Sequence, residues 1–179
     1  MKIVLTGFMA TGKTETGKLL AGRLGLAFVD TDRLVERRAG LAVKDIFARR
    51  GESVFRRLEK AAVREAGALE NVVIATGGGA VMDPENRRHL GRNGIIVSLF
   101  ASPEEIARRT GNSGRRPLLD GADADAEIRK LLRARLPVYR QAEIQVDTDG
   151  KSPAAVAAEI ARHLKNRPPA GLDGRGENR

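Results

Sequence analysis

Eight residues near the start of the chain, Gly7-Phe8-Met9-Ala10-Thr11-Gly12-Lys13-Thr14, match the spacing G-x-x-x-x-G-K-[ST]. Glycines at those places let the backbone curl until successive N–H groups point into one cavity, and a helix starting near Lys13 aims its positive end into the same space. Phosphate oxygens bind in such a cavity. Lys13 is placed to neutralise the β- and γ-phosphates, and the Thr14 hydroxyl to ligate Mg²⁺, which in turn bridges two phosphate oxygens. The apolar run Ile3-Val4-Leu5 directly before the loop reads as a strand. Thr14 to about Leu24 reads as an amphipathic helix, which completes the strand, loop and helix that a nucleotide site requires.

Two further stretches carry chemistry at the end of an apolar run. Asp30-Thr31-Asp32 follows Ala27-Phe28-Val29, and Thr76-Gly77-Gly78-Gly79 follows Val72-Val73-Ile74-Ala75. The elements that must position them alternate. Arg33 to Ala39 has helical apolar spacing and stops at Gly40. Val43 to Phe47 starts a short helix that Gly51 ends, and a longer one runs from about Glu52 through Leu69. Pro84 opens a helix to about Arg92, Ile95–Leu99 is a buried strand, and Ser102-Pro103 caps the next helix. Ala126 to Arg140 is helical with Pro137 distorting or ending it. Ile144-Gln145-Val146 is the last strand, and Pro153 to about Leu164 the last helix. The pattern predicts an α/β domain over 1–166 with a doubly wound parallel sheet and helices on both faces. Ligands then gather at the carboxyl ends of the strands, where all three chemical stretches lie. Thr110 to Asp125 is too polar to pack and too long for an idle connection, and reads as a mobile lid over about 110–125. Residues 167–179 hold nothing that builds a core and read as a disordered tail.

Composition narrows the partners. The 179 residues suffice for one core, and the absence of cysteine excludes a disulfide framework, a zinc ribbon and a thiol nucleophile. That cysteine count fits a reducing cytoplasm, and no apolar run approaches the length of a membrane span. The net charge of +9 raises nucleic acid as a ligand. Basic residues are interleaved with acids, as in Arg56-Arg57-Leu58-Glu59-Lys60, and five Phe with one Tyr make few stacking platforms. A basic surface around a pocket for small anions is the better reading, with neither nucleic acid nor membrane as partner.

Among P-loop proteins a GTPase is excluded by the lack of a guanine-reading N-K-x-D. Ile144-Gln145-Val146-Asp147 is the sole stretch like the acidic strand of a mechanical ATPase, and it belongs to a strand expected at a sheet edge. A small-molecule kinase remains. The motifs G-F-M-A-T-G-K-T, D-T-D, I-F-A-R-R-G-E-S-V-F-R-R-L-E, A-T-G-G-G-A-V, R-R-P-L-L and R-L-P-V-Y-R, in that order, resemble the shikimate kinase family over nearly the whole chain. The resemblance implies the three-layer P-loop kinase fold related to nucleoside monophosphate kinases, with a five-stranded parallel sheet ordered 2-3-1-4-5. It also implies Mg²⁺- and ATP-dependent phosphorylation of the shikimate 3-hydroxyl, by a cytoplasmic monomer. Other small kinases, for sugar acids such as gluconate or for nucleoside monophosphates, are the alternatives within the class, and a non-catalytic ATP sensor the alternative outside it.

Carried onto this chain, the resemblance gives each residue a task. Ala10, Thr11, Gly12, Lys13, Thr14 and Glu15 hold the ATP phosphates, and Arg109 stacks on adenine. Thr14 ligates the magnesium ion and Asp30 holds it through water. Asp32 accepts hydrogen bonds from the acceptor hydroxyls and serves as base toward the attacking one. The competing reading for Asp30 to Asp32 is a helix cap. Arg56 and Arg135 engage the shikimate carboxylate, for which a planar guanidinium suits bidentate pairing. Gly78 lets the backbone approach the substrate, against the alternative of a turn needing positive φ. Phe47 and Phe55 wall the ring. Arg116, in the lid, reaches the transferring phosphate on closure, so Lys13, Asp32 and Arg116 form the catalytic set. Two positions depart from the family pattern. Ala10 stands where glycine is common, and Glu15 where a small residue is usual, so the Glu15 carboxylate must point away from the triphosphate.

Overall fold

The computed structural model describes residues 1–111 and 124–167, with side chains from 126 in the second stretch. Strand β1 (Lys2–Gly7) is buried at every position, as a strand covered on both faces must be. It pairs in parallel with β3 (Val72–Ala75) on one side and β4 (Gly94–Phe100) on the other. β2 (Ala27–Asp30) adds beyond β3, and β5 (Ile144–Asp147) beyond β4. The order is therefore 2-3-1-4-5, with every pairing parallel, as the family resemblance implies.

Alternation along β1 sets the layers. Ile3 and Leu5 face α1 (Lys13–Leu24) and α7 (Pro153–Lys165), where Leu20, Ala21, Val156 and Ile160 close one core. Val4 faces the opposite layer, built from α2 (Thr31–Ala39), α3 (Val43–Gly67), α4 (Pro84–Gly91), α5 (Pro103–Thr110) and α6 (Ala124–Tyr139). Each fully buried Ile or Leu contributes ~1.5–3 kcal/mol. A one-residue slip of β1 would swap its two faces and forfeit both sets, so the register is fixed by packing. Caps set the helix starts: Asp30, Asp83, Ser102 and Ser152 each accept a hydrogen bond from a backbone N–H in the first turn of α2, α4, α5 and α7.

Three expectations need correction. The two helices expected on either side of Gly51 run as α3, which is broken in backbone conformation only at Gly51 (φ 78°, ψ 169°). Glycine enters that region without the steric cost of a Cβ, so the chain kinks there and resumes its helix. α3 also stops at Gly67, two residues before Leu69. Pro137 does not end α6, because it falls in the last turn, where Arg140 N still bonds Leu136 O at 3.0 Å and the helix continues to Tyr139. A short 3₁₀ turn at Ala80–Met82, absent from the sequence reading, follows the glycine run. The expected lid falls almost wholly outside the described residues, as do Arg116 and the tail from 168. No helix among the described residues is long and apolar enough to cross a membrane.

Candidate active site

The connection leaving β1 leads outward to β2, whereas the one leaving β3 leads across to β4, so a crevice opens between the carboxyl ends of β1 and β3. The phosphate loop fills its floor. Gly7 is required there by packing, since a β-carbon on it would sit 2.2 Å from the Leu99 carbonyl oxygen of β4. Lys13 is 9% exposed and its Nζ donates to the carbonyls of Gly7 (3.0 Å) and Phe8 (2.6 Å), which holds the ammonium inside the curl. Thr11 braces the same curl by donating to Phe8 O at 2.9 Å. Helix α1 begins at Gly12 with no side-chain cap among the described residues, unlike α2, α4, α5 and α7. Its first-turn N–H groups and dipole therefore face the cleft, which is the arrangement that receives an anion. Glu15 pairs with Lys18 at 2.7 Å on the exposed side of α1, and the residue also lines the cleft.

The tip of β2 stands beside the loop. Thr14 Oγ1 donates to Asp30 Oδ2 at 2.7 Å, while Asp30 Oδ1 accepts from the backbone N–H groups of Asp32 and Arg33. Asp30 is thus both the cap of α2 and the partner of the Thr14 hydroxyl. Asp32 is not a cap. Its Oδ1 is shielded from solvent and has no hydrogen-bond partner among the described residues. Burial, then the negative charges of Asp30 and Glu59, push its carboxyl up to about 7, against the pull of Lys13.

Helix α3 and the end of β3 make the far wall. Arg56 Nη1 donates to Glu59 Oε2 at 2.8 Å, its Nη2 to Glu52 Oε1 at 2.9 Å, and its guanidinium lies 5.3 Å from the centre of the Phe55 ring. Burial works against the charge of Arg56, but the hydrogen bonds to Glu59 and Glu52 more than offset it. Glu59 is 2% exposed, and burial raises its own carboxyl despite Arg56. Phe47 stacks on Phe55 with ring centres 4.5 Å apart, and both line the cleft. Arg135 reaches in from α6, 5.6 Å from the centre of the Phe8 ring. The glycines between these groups have no left-handed φ, so the turn explanation for Gly78 is set aside. Space constrains them instead, most firmly at Gly77, while at Gly79 the flexible end of Arg56 can yield and at Gly78 the neighbour need give only slightly. A β-carbon would meet Asp32 Oδ1 at 2.6 Å on Gly77, Met9 N at 3.3 Å on Gly78 and Arg56 Nη1 at 2.7 Å on Gly79.

One cleft of about 1570 Å³ takes in Ala10, Gly12, Lys13, Thr14, Glu15, Asp30, Asp32, Arg56, Gly78, Arg109 and Arg135. Of the other residues singled out from sequence, Thr11 is buried within the loop, and Arg116 is outside the described residues. Arg109 is tied by Nη1 to Ala10 O and Thr148 Oγ1, both at 3.1 Å, and by Nη2 to Thr148 O at 2.8 Å, which links the phosphate loop to the end of β5. Sequence reasoning passed over Glu59 and Tyr139. Their signal was their spacing, since Glu59 lies three residues after Arg56 and Tyr139 four after Arg135, on the same helix faces.

A loop shaped for a polyphosphate faces a wall of guanidinium groups and a shielded carboxylate. That pairing leaves phosphoryl transfer to a small anionic alcohol as its chemistry, and makes the chain a P-loop kinase. Residues 9–165 match the family model described as shikimate kinase. The shikimate kinase of Symbiobacterium thermophilum is 51% identical over 170 residues, covering 93% of this chain and 98% of the relative. That of Caldanaerobacter subterraneus subsp. tengcongensis is 50% identical over 160 residues, covering 89% and 94%. Among solved structures, the shikimate kinase of Acinetobacter baumannii in complex with shikimate superposes with a TM-score of 0.88 at 35% identity, covering 92% of each chain. The chain belongs to the shikimate kinase family.

Proposed function

We propose that the chain transfers the γ-phosphoryl group of ATP to the 3-hydroxyl of shikimate, giving shikimate 3-phosphate and ADP on the route to chorismate and the aromatic amino acids. The observation that carries this reading is Asp32. It is an unpartnered, solvent-shielded carboxylate oxygen between the phosphate loop and the arginine wall, where a hydroxyl about to be phosphorylated needs an acceptor for its proton. Transfer of this kind asks the protein mainly for positioning and charge. The curl around Lys13 and the start of α1 hold the donor's phosphates, and Arg109, braced against the loop's outer edge, stacks on its adenine. Arg56, pre-aimed by Glu52 and Glu59, and Arg135 clamp the acceptor carboxylate. The backbone at Gly78 comes close to the acceptor ring, Phe47 and Phe55 wall it, and Asp32 takes the proton of the attacking hydroxyl. Arg116 supplies further positive charge from the lid.

Among the described residues no cluster of three or more acidic or histidine side chains could hold a metal. Mg²⁺ does not need one, because it keeps most of its waters and binds through one or two protein groups plus substrate phosphates. The Thr14 hydroxyl, paired with Asp30, fits that requirement; Thr14 would be the direct ligand and Asp30 would hold a metal-bound water. When bound there, Mg²⁺ neutralises the charge on the β- and γ-phosphate oxygens. The proposed working form is a monomer in the cytoplasm, where ATP is at hand.

A coupled ADP-release assay across shikimate, gluconate, AMP, CMP and no acceptor tests it. Shikimate alone should give turnover well above the acceptor-free rate. Equal or faster turnover with another acceptor would overturn the substrate assignment, and the acceptor-free rate throughout would leave an ATP-binding protein without transfer.

A further inference from the structure

The last turn of α6 holds the one tyrosine of the chain. Tyr139 is 1% exposed, among the largest fully buried side chains, and its hydroxyl donates to the carbonyl oxygen of Gly78 at 2.6 Å, across 61 positions of sequence. Nothing in the fold requires that bond. α6 already packs through Ile128, Leu131, Leu132 and Val138, and a phenylalanine would fill the same space. A polar group taken this deep must find a partner, and this one selects the middle residue of the glycine run.

The consequence is a mechanical link. Arg135 lies four residues before Tyr139, hence on the same face of α6, and its guanidinium, by charge and by hydrogen bonding to the phenol, opposes the rise in the phenol's pKa. Burial wins, and the phenol is pushed up to about 12, so it remains a proton donor at any working pH. The carbonyl it holds belongs to the residue whose backbone approaches the acceptor. On the reading of the site as a shikimate pocket, we infer that Tyr139 is a positioning residue that locks the Gly78 backbone to the helix carrying Arg135, so that the two sides of the acceptor clamp keep a fixed spacing. Gly78 has no side chain to settle it, so without that bond it gains freedom and the clamp must be ordered anew at each binding event.

The test is Tyr139→Phe, which keeps the ring and removes only the hydroxyl, assayed with both substrates varied. The shikimate KM should rise about ten-fold, the loss expected when a buried carbonyl is left without its donor, while the ATP KM stays within two-fold of the parent. A shikimate KM within two-fold of the parent, or an equal rise in both KM values, overturns the proposal, since a merely structural hydroxyl would act in those ways. Failure of the parent to use shikimate at all would instead overturn the substrate assignment. Should the variant fail to fold, the parent decides by itself. With no tryptophan and one tyrosine, its near-ultraviolet absorbance is dominated by Tyr139. Saturating shikimate should shift that band, and an unchanged band overturns the proposal.

Discussion

Asp32 and Glu59 each turn a carboxylate oxygen without a hydrogen-bond partner among the described residues toward the same small volume beside Gly77. A β-carbon on that glycine would lie 2.6 Å from Asp32 Oδ1 and 3.1 Å from Glu59 Oε1. The negative charge of Glu59, brought this close in a shielded place, raises the affinity of Asp32 for a proton. Here the effect converges on the residue proposed as base.

That arrangement sets a pH dependence of stability. Asp32 titrates at its ordinary 3.8 when exposed and at about 7 in the fold. Below 3.8 both states hold the proton and burial of the carboxyl costs nothing. As pH climbs toward 7 the unfolded chain ionises first, and above 7 the folded chain carries a shielded charge, so the contribution is lost across that window. Asp32→Asn removes the charge at constant size. Its melting temperature relative to the parent should therefore rise progressively across the window and level off above it. Thermal melts of both proteins from acid to alkaline buffer check this, and a constant gap would contradict it. Turnover should fall sharply in the variant, and the parent's kcat/KM for shikimate should decline as pH drops below 7, where the base becomes protonated.

Gly77→Ala tests the crowding directly. The added methyl must displace Asp32 or Glu59, because 2.6 Å is too short for a carbon–oxygen contact. A shift of this size at a reacting group lowers turnover by on the order of a hundred-fold. The phosphate loop is untouched, so ATP affinity should match the parent in a nucleotide titration.

Much of this was legible from residue types alone. The G-x-x-x-x-G-K-T loop, the apolar strands β1, β3 and β4 and the strand-end acids announce themselves because local sequence dictates them. Glu59 was read as one more helix charge, since its burial depends on the glycine run after β3, whose Gly77 lies against its carboxylate. Tyr139 was passed over for the same reason, as its partner lies 61 positions away. Gly51 was read as a helix end because glycine is a common helix stop, yet the helix resumes beyond the kink at its φ of 78°.

Ala10 adopts φ 61° in the phosphate loop, a left-handed conformation that costs an L-residue ~1–2 kcal/mol and a glycine almost nothing. Ala10→Gly should raise the melting temperature by about 2–4 °C, the shift expected for relief of roughly 1 kcal/mol in a chain of this size. The ATP KM should not increase, because residue 10 serves through its backbone. A lower melting temperature would show that the alanine methyl packs favourably enough to outweigh the strain.

The central claim is that Arg56 and Arg135 hold the acceptor by its carboxylate. The most direct measurement is the shikimate KM of Arg56→Ala and Arg135→Ala at saturating ATP, with shikimate methyl ester run beside the acid on parent and variants. Each variant should lose on the order of 2–4 kcal/mol of acceptor affinity with ATP affinity unchanged, and the ester should bind the parent poorly and distinguish little between parent and variants. Parental shikimate KM in both variants, or an ester phosphorylated as well as the acid, would contradict the claim and place the carboxylate elsewhere.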